Sequence, residues 1–99
     1  MNNLSKSQKK QLKGMAHSLK PVVIVGQHGM KESIDDEIAT AIKYHQLIKV
    51  KVGVGDRDAR DDLIAQIVAT HNAILVQRIG NIAVLYRFNP QKGKLEGLS

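Results

Sequence analysis

Gly26-Gln27-His28-Gly29 is the stretch whose residue types and spacing best suit chemistry, and that chemistry is the capture of an anion. A short apolar run, Val22 to Val25, precedes it, and a helix is expected to start just after it. Glycines on both sides of Gln27 and His28 let the backbone turn sharply and keep bulk away from an approaching group. The loop delivers the chain to a helix N-terminus, where unpaired backbone N–H groups and the helix dipole favour negative charge. Lys20 and Lys31 flank it. Two nucleotide-binding patterns are absent. Met30-Lys31-Glu32 lacks the third glycine of a dinucleotide fingerprint, and the long Gly-rich loop ending in Lys-Ser/Thr does not occur. A phosphate met here belongs to a polymer or a small anion more readily than to ATP.

Other reactive types do not assemble into a catalyst. His17, His28, His45 and His71 have neither zinc-binding nor triad spacing. His28, at the tip of the loop, is the one suited to hydrogen-bond or stack on a sugar, phosphate or base. Asp56, Asp58, Asp61 and Asp62 resemble a magnesium cluster, but two of them are explained as helix caps and no nucleophile or base lies close in sequence. There is no cysteine, hence no disulfide, thiol nucleophile or Cys-ligated metal. The expectation is a non-catalytic protein with no cofactor and no metal.

Charge points to the partner. The net charge is +6, and residues 1–31 hold six lysines and no acid. Residues 32–62 hold eight of the nine acids. Such a one-sided field steers polyanions to one region. Nucleic acid leads as the partner, ahead of an anionic membrane or an acidic protein. No leader peptide and no apolar run long enough to span a bilayer is recognisable, so a soluble, cytoplasmic protein is expected.

The elements that must position these groups read in the order α-β-α-β-α-β-β. Residues 1–19 form a helix with a short leader, opened by a capping box at Ser5 and Gln8. Leu12, Met15, Ala16 and Leu19 make its buried stripe. At about 100° per residue, Lys6, Lys9, Lys10, Lys13 and His17 fall together in one arc beside that stripe. Pro21 ends the helix and hands over to the first strand. A second helix buries Ile34, Ile38, Ala41 and Ile42 and runs to about Tyr44. Its acidic start (Glu32, Asp35, Asp36, Glu37) repels phosphate, so only the loop and the first residues of this helix should touch RNA or DNA. The second strand, 46–54, points Ile48, Val50, Val52 and Val54 one way and Lys49 and Lys51 the other. Asp58 caps a third helix that buries Ala59, Leu63, Ile64, Ile67 and Val68 and stops at Asn72. Strands 73–77 and 82–88 close a hairpin through Gly80-Asn81, with Tyr86 and Phe88 on the side of Ile82 and Val84 and hence in the core. Few exposed rings remain to stack bases, which favours structured RNA recognised by shape, although charge alone does not exclude DNA. Residues 1–88 are expected as the domain and 89–99 as a flexible tail.

A family resemblance emerges from these residues taken together. Leu4-Ser5 before a Lys-rich helix, Ala16-His17-Ser18-Leu19-Lys20-Pro21-Val22, Val25-Gly26-Gln27-His28-Gly29-Met30, Ala41-Ile42 on to Lys51, and Ile79-Gly80 with Val84-Leu85-Tyr86-Arg87 resemble the CRM domain (chloroplast RNA splicing and ribosome maturation). The match spans about residues 4–88, and the bacterial members of this family are small stand-alone YhbY-type proteins. The resemblance implies an α/β domain with a mixed four-stranded sheet, similar to the C-terminal domain of translation initiation factor three, carrying a KH-like loop. It implies association with precursors of the large ribosomal subunit, with 23S rRNA as the structured RNA and ribosomal proteins as neighbours. It places RNA contacts on Gly26, Gln27, His28 and Gly29 and on the basic first helix, and Lys49, Lys51 and Arg87 fit its basic positions. This sequence departs from it by having His28 where a basic residue is usual and Lys31 where a Thr cap is usual. The rival reading is a protein-interaction adaptor that uses the acidic second helix.

Overall fold

The computed structural model describes residues 4–98. Its elements are α1 (Lys6–Ala16), β1 (Val23–Val25), α2 (Glu32–His45), β2 (Leu47–Val52), α3 (Arg57–His71), β3 (Ile74–Ile79) and β4 (Ile82–Tyr86). The expected order and the mixed four-stranded sheet are both present. The strands lie in the order β1-β2-β4-β3, with β1 parallel to β2 and the other pairs antiparallel. A chain that returns to make a parallel pair needs a crossover, and α2 supplies it.

The sheet is buried on one face and half-buried on the other. On the first, Ile38 and Ile42 of α2 and Ile64 and Ile67 of α3 pack on Val23, Val25, Ile48, Val50, Val52, Ala83 and Leu85. The second face is the lysine face of β2. There Leu12 and Ala16 of α1 pack on Leu47, Val76, Val84 and Tyr86. Burial of the Tyr86 phenol raises its pKa, so the ring stays neutral in the core. Leu47, outside the expected alternation, is buried because α1 lies over it.

Local signals explain most element ends. The Ser5 hydroxyl accepts from the Gln8 N–H and the Gln8 side chain accepts from the Ser5 N–H, each at 3.0 Å, which closes the capping box. Asn72 terminates α3 in the left-handed region at φ 51°. Three expectations need correction. α1 ends at Ala16, so Leu19 is exposed and not part of the stripe; Pro21 restricts the residue before it, and the chain has already left the helix. The cap of α3 is Asp56, whose carboxylate accepts from the Ala59 N–H at 2.8 Å, and Asp58 lies inside the helix. Phe88 is 46% exposed because β4 ends at Tyr86 and the alternation carries no further.

Residues 89–98 form no helix or strand, as their lack of periodicity suggests, yet they lie against the domain instead of fraying from it. Buried Gln46 donates to the Gly93 carbonyl at 2.9 Å and accepts from the Asn89 N–H at 3.1 Å. Asn89 donates to the Lys43 carbonyl at 2.8 Å, and the Lys92 ammonium sits 4.1 Å from the centre of the Tyr44 ring. Leu98 is buried in the core beneath α1. Leu98→Ala should lower stability by about 2 kcal/mol in urea unfolding and expose the last ten or so residues to limited proteolysis. Unchanged stability and cleavage would show the segment to be held only loosely.

Candidate nucleic-acid interface

The lysine arc exists as the spacing requires. Lys6, Lys9, Lys10, Lys13 and His17 are all exposed, in an arc beside the stripe of Leu12 and Ala16 that α1 turns into the sheet. The ion pairs among the described residues are His71–Asp35 and Arg78–Asp61, so no carboxylate among these residues pairs with this arc. Its field is open to an outside polyanion.

Packing of α1 on the lysine face of β2 brings the two sets of cations together. Lys13, Gly14, Ala16 and His17 line a cleft of about 640 Å³ with Lys49, Gln77 and Ile79. Lys49 is half-buried, and its ammonium donates to the Leu19 carbonyl at 2.9 Å, which fixes the segment leading to β1. Lys51, two residues on, shares the face and is exposed. Lys20 is exposed in the connection between α1 and β1.

The glycine loop sits at the end of the sheet toward which this face leads. β1 ends at Val25, opposite Val52 of β2, and the Gly53 N–H donates to the Val25 carbonyl at 2.7 Å. Within the loop the Gly29 N–H closes a turn on the Gly26 carbonyl at 3.0 Å, and Gly29 holds a positive φ of 78°. Gln27 and His28 stand exposed at the tip. A Cβ at Gly26 or Gly29 would meet nothing within 4 Å, so the glycines leave open space above the backbone. Lys31 is the N-cap of α2 and makes no side-chain cap bond, which leaves first-turn N–H groups of α2 for an outside acceptor. Lys31 itself is exposed beside them.

Arg87 is the exception. It lies past the end of β4, where its guanidinium donates to the His71 carbonyl at 2.8 Å and so satisfies the C-terminus of α3. The structure gives it an internal partner at the end of α3. His71, expected as a helix-end residue, is buried with its Nε2 3.0 Å from an Asp35 carboxylate oxygen, tying α3 to α2.

Two features escaped the sequence reading. Arg57, Arg60 and Arg78 line a separate cleft with Gly80. Two of the three are engaged within the protein: Arg78 pairs with Asp61, and Arg60 donates to the Val54 and Gly55 carbonyls, while Arg57 is exposed. The second is a row of exposed isoleucines on the lysine face, which strand alternation alone would not separate from core. Among the described residues no group of three or more His, Cys, Asp or Glu side chains is placed to hold a metal, and no helix is long and apolar enough to cross a membrane.

The family model described as the CRS1 / YhbY (CRM) domain matches residues 4–87. This chain belongs to the CRM family. CRM relatives include a protein of Haemophilus influenzae named as RNA-binding, 48% identical over 87 residues that cover 88% of each chain. A Pseudomonas aeruginosa protein named as probable RNA-binding is 43% identical over 92% of this chain and 88% of its own. A similarly named Bacillus subtilis protein is 33% identical over 94% of this chain and 97% of its own. Among solved structures, a Staphylococcus aureus protein superposes with a TM-score of 0.81 at 29% identity, covering 98% of this chain and all of that one. The CRM assignment agrees with the α-β-α-β-α-β-β order and its mixed sheet.

Proposed function

We propose that this CRM protein is a non-catalytic RNA-binding protein of the cytoplasm that docks on structured RNA of the large ribosomal subunit, 23S rRNA in pre-50S particles, during assembly. Ribosomal proteins are then its neighbours. The observation that carries the reading is the placing of unpaired lysines of α1, the pair Lys49 and Lys51, and the Gly26–Gly29 loop along one face and one end of the sheet. Lysines supply affinity that falls with salt as counterions return to the RNA. The loop admits a phosphate to backbone N–H groups, with His28 and Gln27 reaching sugar or base. Phosphate contacts of this kind set orientation and do not by themselves select sequence. The names of the CRM relatives support RNA as the partner; the ribosomal assignment follows from the family resemblance.

Crosslinking the cell-expressed protein to RNA, with sequencing of bound fragments and mapping of crosslinked residues, tests both partner and site. Expected are fragments from large-subunit precursor RNA and crosslinks at residues 26–29 and on α1. Scattered, sparse crosslinks, together with a salt-resistant, RNase-resistant association with one ribosomal protein, would overturn this and favour an adaptor that uses α2, where Asp36, Glu37 and Tyr44 are exposed.

A further inference from the structure

Among the described residues, none is laid over part of the lysine face, where Ile24 and Ile79 are exposed. α1 packs over the end of the face that holds Leu47, Tyr86 and Val84. Nearer the glycine loop, Ile24, Lys51, Ile82 and Ile79 stand in register across all four strands. Ile24 is 63% and Ile79 53% exposed, Lys51 is exposed and Ile82 is half-buried. Single apolar residues in water are ordinary, but here the register aligns three isoleucines in one row, with Lys51 between Ile24 and Ile82, and grouped exposed apolar side chains mark contact surfaces. At about 4.8 Å between neighbouring strands the row spans roughly 14 Å, wide enough for unpaired bases to lie flat.

The surroundings select the occupant. The cleft bordering Ile79 is lined by Lys13, His17, Lys49 and Gln77 and by no acid. An apolar floor ringed by cations suits a ligand with flat apolar faces and negative links between them. Gln77 adds a donor and an acceptor for a base edge. A second copy docked face to face would meet this cationic face with like charge.

We propose that this open half-face is a base-binding platform: unpaired nucleotides lie against Ile24, Ile82 and Ile79 while Lys13, Lys49 and Lys51 hold their phosphates. The proposal rests on the RNA-binding reading and adds to it a preference for single-stranded segments next to helical ones. Apolar side chains serve as stacking surfaces for bases without selecting sequence strongly.

The test uses two hairpin RNAs with the same number of phosphates, one fully paired and one with an unpaired bulge containing 2-aminopurine. The unaltered protein should bind the bulged RNA more tightly and change its fluorescence on binding. The double variant Ile24→Ser, Ile79→Ser should lose about tenfold in affinity for the bulged RNA, together with the fluorescence change. Its binding to the paired hairpin and its salt dependence should not change. Ile79→Phe should strengthen the fluorescence change, a gain that a folding defect cannot mimic. A double variant that keeps both the preference and the fluorescence change overturns the platform alone. Failure of the unaltered protein to bind either RNA overturns the RNA-binding reading as well. A double variant that loses only an association with a protein or with a second copy assigns the face to that partner and overturns the proposal.

Discussion

Replacing Lys6, Lys9, Lys10 and Lys13 together by Gln should weaken RNA binding about a hundredfold near physiological salt and flatten the slope of log affinity against log salt by about 3. Each lysine that neutralises a phosphate releases condensed counterions, and that release is what added salt opposes. These side chains have no carboxylate partner among the described residues, so the change costs no internal ion pair. Gln is nearly as good a helix former as Lys, and the stripe of Leu12 and Ala16 that docks α1 is untouched. Unfolding midpoints should therefore stay where they were. Filter binding or fluorescence anisotropy across a salt series reads the slope directly. A variant with the original slope would show the lysine arc to be an ordinary solvated helix face.

A large side chain at Gly26 should reduce RNA binding about tenfold or more without a measurable change in stability. A Cβ at this glycine meets nothing within 4 Å, so the leucine of Gly26→Leu starts into open space and is expected to obstruct a phosphate seated on the loop. Gly29→Leu should lose as much binding and in addition about 1–2 kcal/mol of stability, because a left-handed backbone at φ 78° strains any residue with a Cβ. The pair separates loop chemistry from folding: one variant alters binding alone, the other binding and stability. Binding titrations beside urea unfolding measure both. If both variants bind RNA as well as the unaltered chain, no phosphate sits on the loop.

His28 and Gln27 offer the loop hydrogen bonding and, for the ring, stacking, while Lys20 and Lys31 flank it as exposed cations.

Much of the architecture is legible in local pattern. Ser5 and Gln8 form the capping box their spacing announces, and Asn72 takes the left-handed stop. Alternation in β2 correctly sends Ile48, Val50 and Val52 to one face and Lys49 and Lys51 to the other. These features depend on neighbours within a turn or two of chain, where geometry is set by 3.6-residue and 2-residue periods. The lysine arc of α1 belongs with them, since the positions of Lys6 to His17 around a helix follow from their spacing alone. So does the glycine loop between a strand and a helix.

What the pattern did not reveal depends on partners distant in sequence. Arg87 reads as one more surface cation, yet the end of α3 comes within reach and its guanidinium satisfies the His71 carbonyl. Asp58 has as good a capping sequence as Asp56, and the choice falls to where the chain leaves β2 and turns into α3. The last segment has no period, so local reasoning sees only a tail. The buried amide of Gln46 and a gap beneath α1 that accepts Leu98 hold it in place. Ile24 and Ile79 look like core by composition, and only the limited reach of α1 across the sheet leaves them in water. The sequence alone thus determined the elements, the charge asymmetry and the glycine loop between a strand and a helix, because hydrophobic period, capping and formal charge are local properties. Tertiary structure decided which cations share a face, which are consumed internally and which apolar surface stays open, because those outcomes follow from one α-helix covering only part of a four-stranded sheet.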